Sequence, residues 1–192
     1  MTRGMVRDRF SSSILEAAAR VLSEHGAAAS MSDVAEAAGI GRATLYRYFA
    51  SREDLLRALS VAAVDDANAR LVAADLDSVP VPEALARVAR ALVACGVTFA
   101  VITDEPQYLD REDLTRRVGG LVRAVLHRGI DDGTLRDDLP LDALYQLWGG
   151  LLMGASRSLG PLEHSIERAG AAATSLFLEG ASRPRLPAEV RE

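Results

Sequence analysis

The segment SMSDVAEAAGIGRATLYRYFASRED, residues 30–54, constrains this chain more than any other stretch. It reads as two short helices joined by a tight glycine turn, with a third helix beginning behind them. Ser30 and Asp33 have the Ser-x-x-Asp spacing of a capping box, in which each side chain answers the other residue's backbone N–H. Val34, Ala35 and Ala38 give the first helix a small apolar face. Gly39 stands where the chain must turn left-handed, which glycine does at little steric cost. Ile40 plugs the corner, and Gly41 precedes a second helix over 42–49. Leu45 and Phe49 lie four apart and face inward. Arg42, Thr44, Arg47 and Tyr48 point largely elsewhere. A second box, Ser51 with Asp54, opens the next helix. Two short helices with such a turn make a helix-turn-helix, whose second helix can lie in a DNA major groove.

The longer run AEAAGIGRATLYRYFASREDLL closely resembles the signature of TetR/AcrR-type bacterial transcription regulators. The diagnostic part is LYRYF at 45–49, followed by Arg52 and by DLL at 54–56. In motif the resemblance covers roughly residues 10–59. Beyond that it is one of length and helix layout.

Candidate DNA contacts come from geometry and from this resemblance together. Arg42 opens the second helix, where side chains reach base edges, and an arginine there can pair with guanine O6 and N7. Thr44 and Arg47 are the next candidates for bases or phosphates. Tyr46 and Tyr48 carry hydroxyls suited to phosphate, and the resemblance favours Tyr48. Half-buried packing on the first helix, ahead of the motif, is an equal alternative for Tyr46. Ala43 offers a methyl group and its backbone N–H. Arg52 matches the family's phosphate-contacting basic residue, and a helix N-terminus also favours an anion. Gly41 departs from the Ser or Thr frequent at this position in the family, which removes a side-chain phosphate contact.

A net charge of −5 runs against DNA binding until its distribution is considered. Residues 1–57 carry eight Arg against seven Asp and Glu, and residues 58–192 carry fourteen against twenty. The front is less acidic, with arginines at positions 3, 7, 9, 42, 47 and 52. A local basic face can bind phosphate while the whole molecule stays acidic. The chain has no lysine. Genome base composition suffices to explain that.

Ahead of the motif, residues 2–9 read as a polar arm with three arginines, either touching the DNA backbone or minor groove or simply disordered. A helix over 9–24 follows, with Phe10, Ile14, Ala17, Val21 and Leu22 on one face and Gly26 ending it. Behind the motif, a helix over 52–74 is long enough to reach from the head into the rest of the chain and to act as a lever. The segment VPVPE at 79–83 breaks the chain. A helix over 82–102 follows, apolar nearly all round and so expected to be buried on several sides. Thr103–Pro106 ends it and starts a short sixth helix. A seventh runs over 111–130, and an acidic connector occupies 131–140. The last two helices, 141–159 and 162–179, mix large apolar residues with Gly149, Gly150, Gly154 and Ala155. They resemble half of the four-helix dimer interface that the family uses, although completing the monomer's core is the simpler alternative. Residues 183–192 read as a solvated tail.

Several chemistries have no support. Gly39-x-Gly41 lacks the strand and third glycine of a dinucleotide loop. His25, His127 and His164 show no ligand spacing, so no metal and no cofactor is expected. Cys95 is alone and reads as a small buried apolar residue. The N-terminal stretch lacks the apolar core of a secretion signal, and no apolar run approaches the ~18 residues of a membrane span. A cytoplasmic protein without membrane contact is therefore the expectation.

The chain is thus expected to be all-α, with about nine helices. A helix-turn-helix head would occupy residues 5–57, a ligand-binding and dimerisation body 58–182, and the tail 183–192. The resemblance implies a homodimeric, non-enzymatic repressor that reads a near-palindromic operator in double-stranded DNA. It also implies release by a small hydrophobic ligand. Phe99, Tyr108, Tyr145, Trp148 and Met153 are the candidate pocket residues, each also readable as plain core. The competing reading is a helical-bundle binding protein or enzyme without DNA binding.

Overall fold

The computed structural model describes residues 3–95, 105–158 and 163–181, and these are all-α. The helices are α1 Arg3–His25, α2 Met31–Ala37, α3 Arg42–Tyr48, α4 Arg52–Ala73, α5 Val81–Ala94, α6 Arg111–Leu114, α7 Gly120–Asp131, α8 Leu141–Ser158 and α9 Glu163–Ala181. A π turn over Thr115–Gly119 links α6 to α7. The tail and residues 96–102, the end of the expected 82–102 helix, lie outside the described residues. No helix among the described residues is long and apolar enough to cross a membrane.

The chain divides into two compact units. The first comprises the residues up to Ala67 together with Cys95–Leu114, and the second comprises Asn68–Ala94 and the residues from Thr115 onward.

In the first unit, α1 begins at Arg3 rather than at residue 9. Residues 5–9 contain no proline or glycine, so nothing stops the helix from extending through the expected arm. Ile14, Ala17, Val21 and Leu22 are buried as their spacing requires, but Phe10 stands at the edge of the face. The core joins Ile14, Val21 and Leu22 to Met31, Val34 and Ala35 of α2, Leu45 of α3, Phe49, and Leu55, Leu56 and Leu59 of α4. The Ser30–Asp33 box is complete. Ser30 N–H donates to Asp33 Oδ2 at 2.8 Å, and Asp33 N–H donates to Ser30 Oγ at 3.3 Å. Gly39 turns at φ +66°, the left-handed region that its position demanded. Asp54 N–H donates to Ser51 Oγ at 3.1 Å and so caps α4. Cys95 is buried, and its thiol donates to Asp66 Oδ2 at 3.3 Å.

In the second unit, α9 lies along α5 and α8, and α7 packs against both α5 and α8. The described part of α5 is one-sided rather than apolar all round. Val81, Ala84, Leu85, Val88, Ala89 and Val93 are buried, whereas Glu83 and Arg90 are exposed. Two arginines hold the connector between α4 and α5. Arg87 donates to Ala74 O at 2.8 Å, and Arg128 donates to Leu76 O at 2.9 Å and Val79 O at 3.0 Å. The acidic connector is anchored too, because Arg136 N–H donates to Ala181 O at 2.8 Å. The π turn was hidden from the sequence, where apolar spacing continues unbroken from Val118 to Leu126. It ends at Gly119, where an added Cβ would stand 2.9 Å from both Arg123 Nη1 and the Tyr145 hydroxyl.

Candidate nucleic-acid interface

α3 is seven residues long, and its inward side is set by Leu45, which is fully buried. Phe49, immediately after the helix, is buried beside it and caps its last turn by donating N–H to Leu45 O at 2.9 Å. With these two fixed, the helix has one direction left to present, and Arg42, Ala43, Tyr46 and Arg47 are all exposed. Thr44 is half-buried and starts the helical ladder by donating N–H to Gly41 O at 2.9 Å.

Two tyrosines exchange roles relative to one expectation. Tyr46, offered as half-buried packing on α1, is 42% exposed. Tyr48 is the one that packs, half-buried with its ring 5.4 Å from that of Phe10 in α1. The Arg47 guanidinium stands 5.9 Å from the Tyr48 ring, a cation–π arrangement that holds Arg47 along the exposed edge. Neither Arg42 nor Arg47 has a carboxylate partner among the described residues.

Arg52 differs from them. Its Nη2 meets Glu105 Oε1 at 3.1 Å, with the two side chains 29% and 20% exposed. Glu105 lies 53 residues away in sequence and belongs to the same compact unit. Nothing in the local pattern around Thr103–Pro106 marked it as a partner. Arg57 is engaged as well, with Asp54 at 3.3 Å and with the Tyr108 ring at 5.7 Å.

The five pocket candidates fall in different parts of the chain. Phe99 lies outside the described residues. Tyr108 belongs to the first unit, where it packs against the head core. Tyr145, Trp148 and Met153 share α8. The half-buried Tyr145 carries the Arg123 guanidinium 3.8 Å above its ring. Trp148 is 1% exposed, with its ring 4.9 Å from that of Phe177 in α9. Its indole N–H has no hydrogen-bond partner among the described residues. Met153 is half-buried. A shallow apolar groove lies between α8 and α9. Leu147, Gly150, Leu151, Gly154, Ala173 and Leu176 line it, and Leu147 and Leu176 are 56% and 61% exposed.

This geometry can be set beside known proteins. The family described as bacterial regulatory proteins of the tetR family matches at residues 14–59, the whole of the motif with the latter half of α1 and the start of α4. Over these residues the chain has a TetR-type head. Among its relatives is the HTH-type transcriptional repressor LfrR of Mycolicibacterium smegmatis, 42% identical over 108 residues. That alignment covers 56% of this chain and 57% of LfrR, under two thirds of its length. The HTH-type transcriptional repressor KstR2 of Rhodococcus jostii is 29% identical over 145 residues, covering 69% of this chain and 71% of that protein. The solved structure of LfrR in complex with proflavine superposes with a TM-score of 0.74 at 29% identity, over 93% of this chain and 99% of that one. PfmR, a TetR-family regulator from Thermus thermophilus, superposes with a TM-score of 0.71 at 28% identity, over 88% and 99% of the two chains.

Proposed function

We propose that this chain is a TetR-family, ligand-responsive transcriptional repressor that binds a near-palindromic operator as a homodimer. The observation that carries the reading is α3, where Leu45 is locked into the head core and Arg42, Ala43, Tyr46 and Arg47 face outward. Arg42 and Thr44 sit early in the helix, where base edges are reached, and Arg47 and Tyr48 sit where phosphates run. Phosphate contacts set the register, and the base contacts supply sequence preference. Two heads about one DNA turn apart, ~34–36 Å, would read half-sites related by a two-fold axis.

The exposed leucines of α8 and α9 support a dimer through those helices. A two-fold interface uses the same patch twice, and glycines in it allow helices to approach closely. LfrR binds proflavine, a planar aromatic, and that supports an aromatic or hydrophobic ligand for this chain. Tyr145, Trp148 and Met153 on α8 are the proposed contacts. The Trp148 N–H would give such a ligand a donor that the described residues leave unused. A ligand releases the operator only by preferring a conformation that binds DNA poorly, by a few kcal/mol. Regulation here requires no catalysis.

The test is fluorescence anisotropy with a duplex from upstream of the protein's own gene, at two salt concentrations. Tight, salt-sensitive binding at two protomers per duplex is expected, weakened by Arg47→Ala. A folded dimer that binds neither this duplex nor others from the region would overturn the reading.

A further inference from the structure

Of the arginines offered to DNA, Arg42 and Arg47 are free of carboxylates among the described residues, and Arg52 is not. Its guanidinium holds Glu105 at 3.1 Å in a partly buried pair. Glu105 is itself seated at several points. Its second carboxylate oxygen accepts from Gln107 Nε2 at 2.8 Å, and its backbone carbonyl accepts from Tyr108 N–H at 3.1 Å. Tyr108 packs on the head core, with the Arg57 guanidinium 5.7 Å from its ring. A carboxylate is thus fixed on the side chain that the resemblance assigns to phosphate.

Two anions on one guanidinium repel one another, and partial burial screens them less than bulk water and salt would. We propose that Glu105 competes with DNA phosphate for Arg52, so that residues 105–108 act as a built-in brake on the head. DNA binding then exchanges the Glu105 carboxylate for a phosphate oxygen at Arg52. Any ligand or contact that strengthens the Glu105 seat weakens operator binding, without touching α3. This inference rests on the head binding DNA, as proposed above.

The experiment is a double-mutant cycle in the full chain. Anisotropy is measured for wild type, Glu105→Gln, Arg52→Gln and the double variant. Each is tested on the upstream duplex and on a scrambled duplex of the same length. Glu105→Gln is expected to bind both duplexes about two- to five-fold tighter, the range of a partly exposed ion pair, because phosphate readout ignores sequence. The gain is expected to vanish when Arg52 is also replaced. Glu105→Asp, one methylene shorter, retains the charge and gives a smaller gain, which covers the case in which the glutamine variant does not fold. Equal or weaker binding by Glu105→Gln and Glu105→Asp overturns the inference, since a strut that merely supports the head predicts that result. A gain that persists without Arg52 also overturns it, as a general charge effect. If the wild type binds DNA and the cycle is flat, only the brake fails. If none of the variants binds either duplex, the repressor reading fails with it.

Discussion

Phe10 of α1 and Tyr48 of α3 place their rings 5.4 Å apart, tilted by 34°, so the helix that presents the proposed DNA contacts is braced by an aromatic pair at its far end. Such pairs contribute about 0.5–1.5 kcal/mol beyond the area they bury. Phe10→Ala is expected to destabilise the head by about 1 kcal/mol, seen as a lower thermal midpoint by circular dichroism. Tyr48→Phe keeps the ring and is expected to leave that midpoint unchanged. If its hydroxyl meets phosphate, the same variant weakens duplex binding and lowers the salt slope. A large loss of stability in Tyr48→Phe would assign the hydroxyl to folding instead.

Leu45 has no exposed surface, and it is the α3 side chain that ties the helix into the head core. Truncation of a buried leucine costs about 2–5 kcal/mol, through lost burial and the cavity left behind. In a core as small as that of the head, Leu45→Ala is expected to unfold the first unit near physiological temperature and abolish duplex binding. Hydrogen exchange should show α3 and α2 losing protection first. Uniform retention of protection with lost binding would mean that Leu45 acts on DNA directly.

What could be read from the sequence was what is decided within one helical turn. The Ser30–Asp33 box, the left-handed Gly39 and the inward pair Leu45 and Phe49 are all fixed by neighbours three or four positions away. The bounds of α4, α8 and α9 fell within a residue or two for the same reason. Contacts set by distant chain were not legible. Glu105 meets Arg52 across 53 positions, and no periodicity announces it. The π turn at 115–119 was hidden because one extra residue per turn leaves the apolar spacing on either side intact. The overcount of apolar faces on α5 came from its alanines, which are apolar by type but sit on either side of a helix. Glu83, Arg87 and Arg90 already marked its wet side.

The capping box also predicts a pH dependence. The Asp33 carboxyl is held below its ordinary value of 3.8, first by the Ser30 backbone N–H and then by the Ser30 side chain. A lowered value in the folded state means that this stabilisation is complete above the ordinary value and is lost as pH falls through the folded one. Wild type and Asp33→Asn are therefore expected to differ in thermal midpoint at pH 7 and to converge progressively below about pH 4. Ser30→Ala removes the reciprocal half of the box and should lower stability by about 1 kcal/mol at pH 7. A gap between wild type and Asp33→Asn that widens on acidification would reverse the sign and exclude the box as its origin.

The groove between α8 and α9 carries the last prediction. Leu147 and Leu176 expose most of their side chains on a face whose other members are glycine, alanine and leucine, with Gln146 as its one polar side chain. An exposed leucine on its own needs no explanation, but two beside a strip of small residues form a contiguous apolar patch of the kind that marks an association site. If that patch pairs with its own copy, each change is counted twice at the two-fold axis. Leu147→Asp would then bury two carboxylates in one interface, at a cost that no surface ion pair offsets. Sedimentation velocity at micromolar concentration is expected to show a dimer for the wild type and a monomer for Leu147→Asp, with helical content unchanged. The monomer should still bind a half-site duplex weakly through α3 but should lose the two-protomer complex on the full upstream duplex. A Leu147→Asp protein that remains a dimer would place self-association on another face of the second unit, and the groove would then need a different occupant.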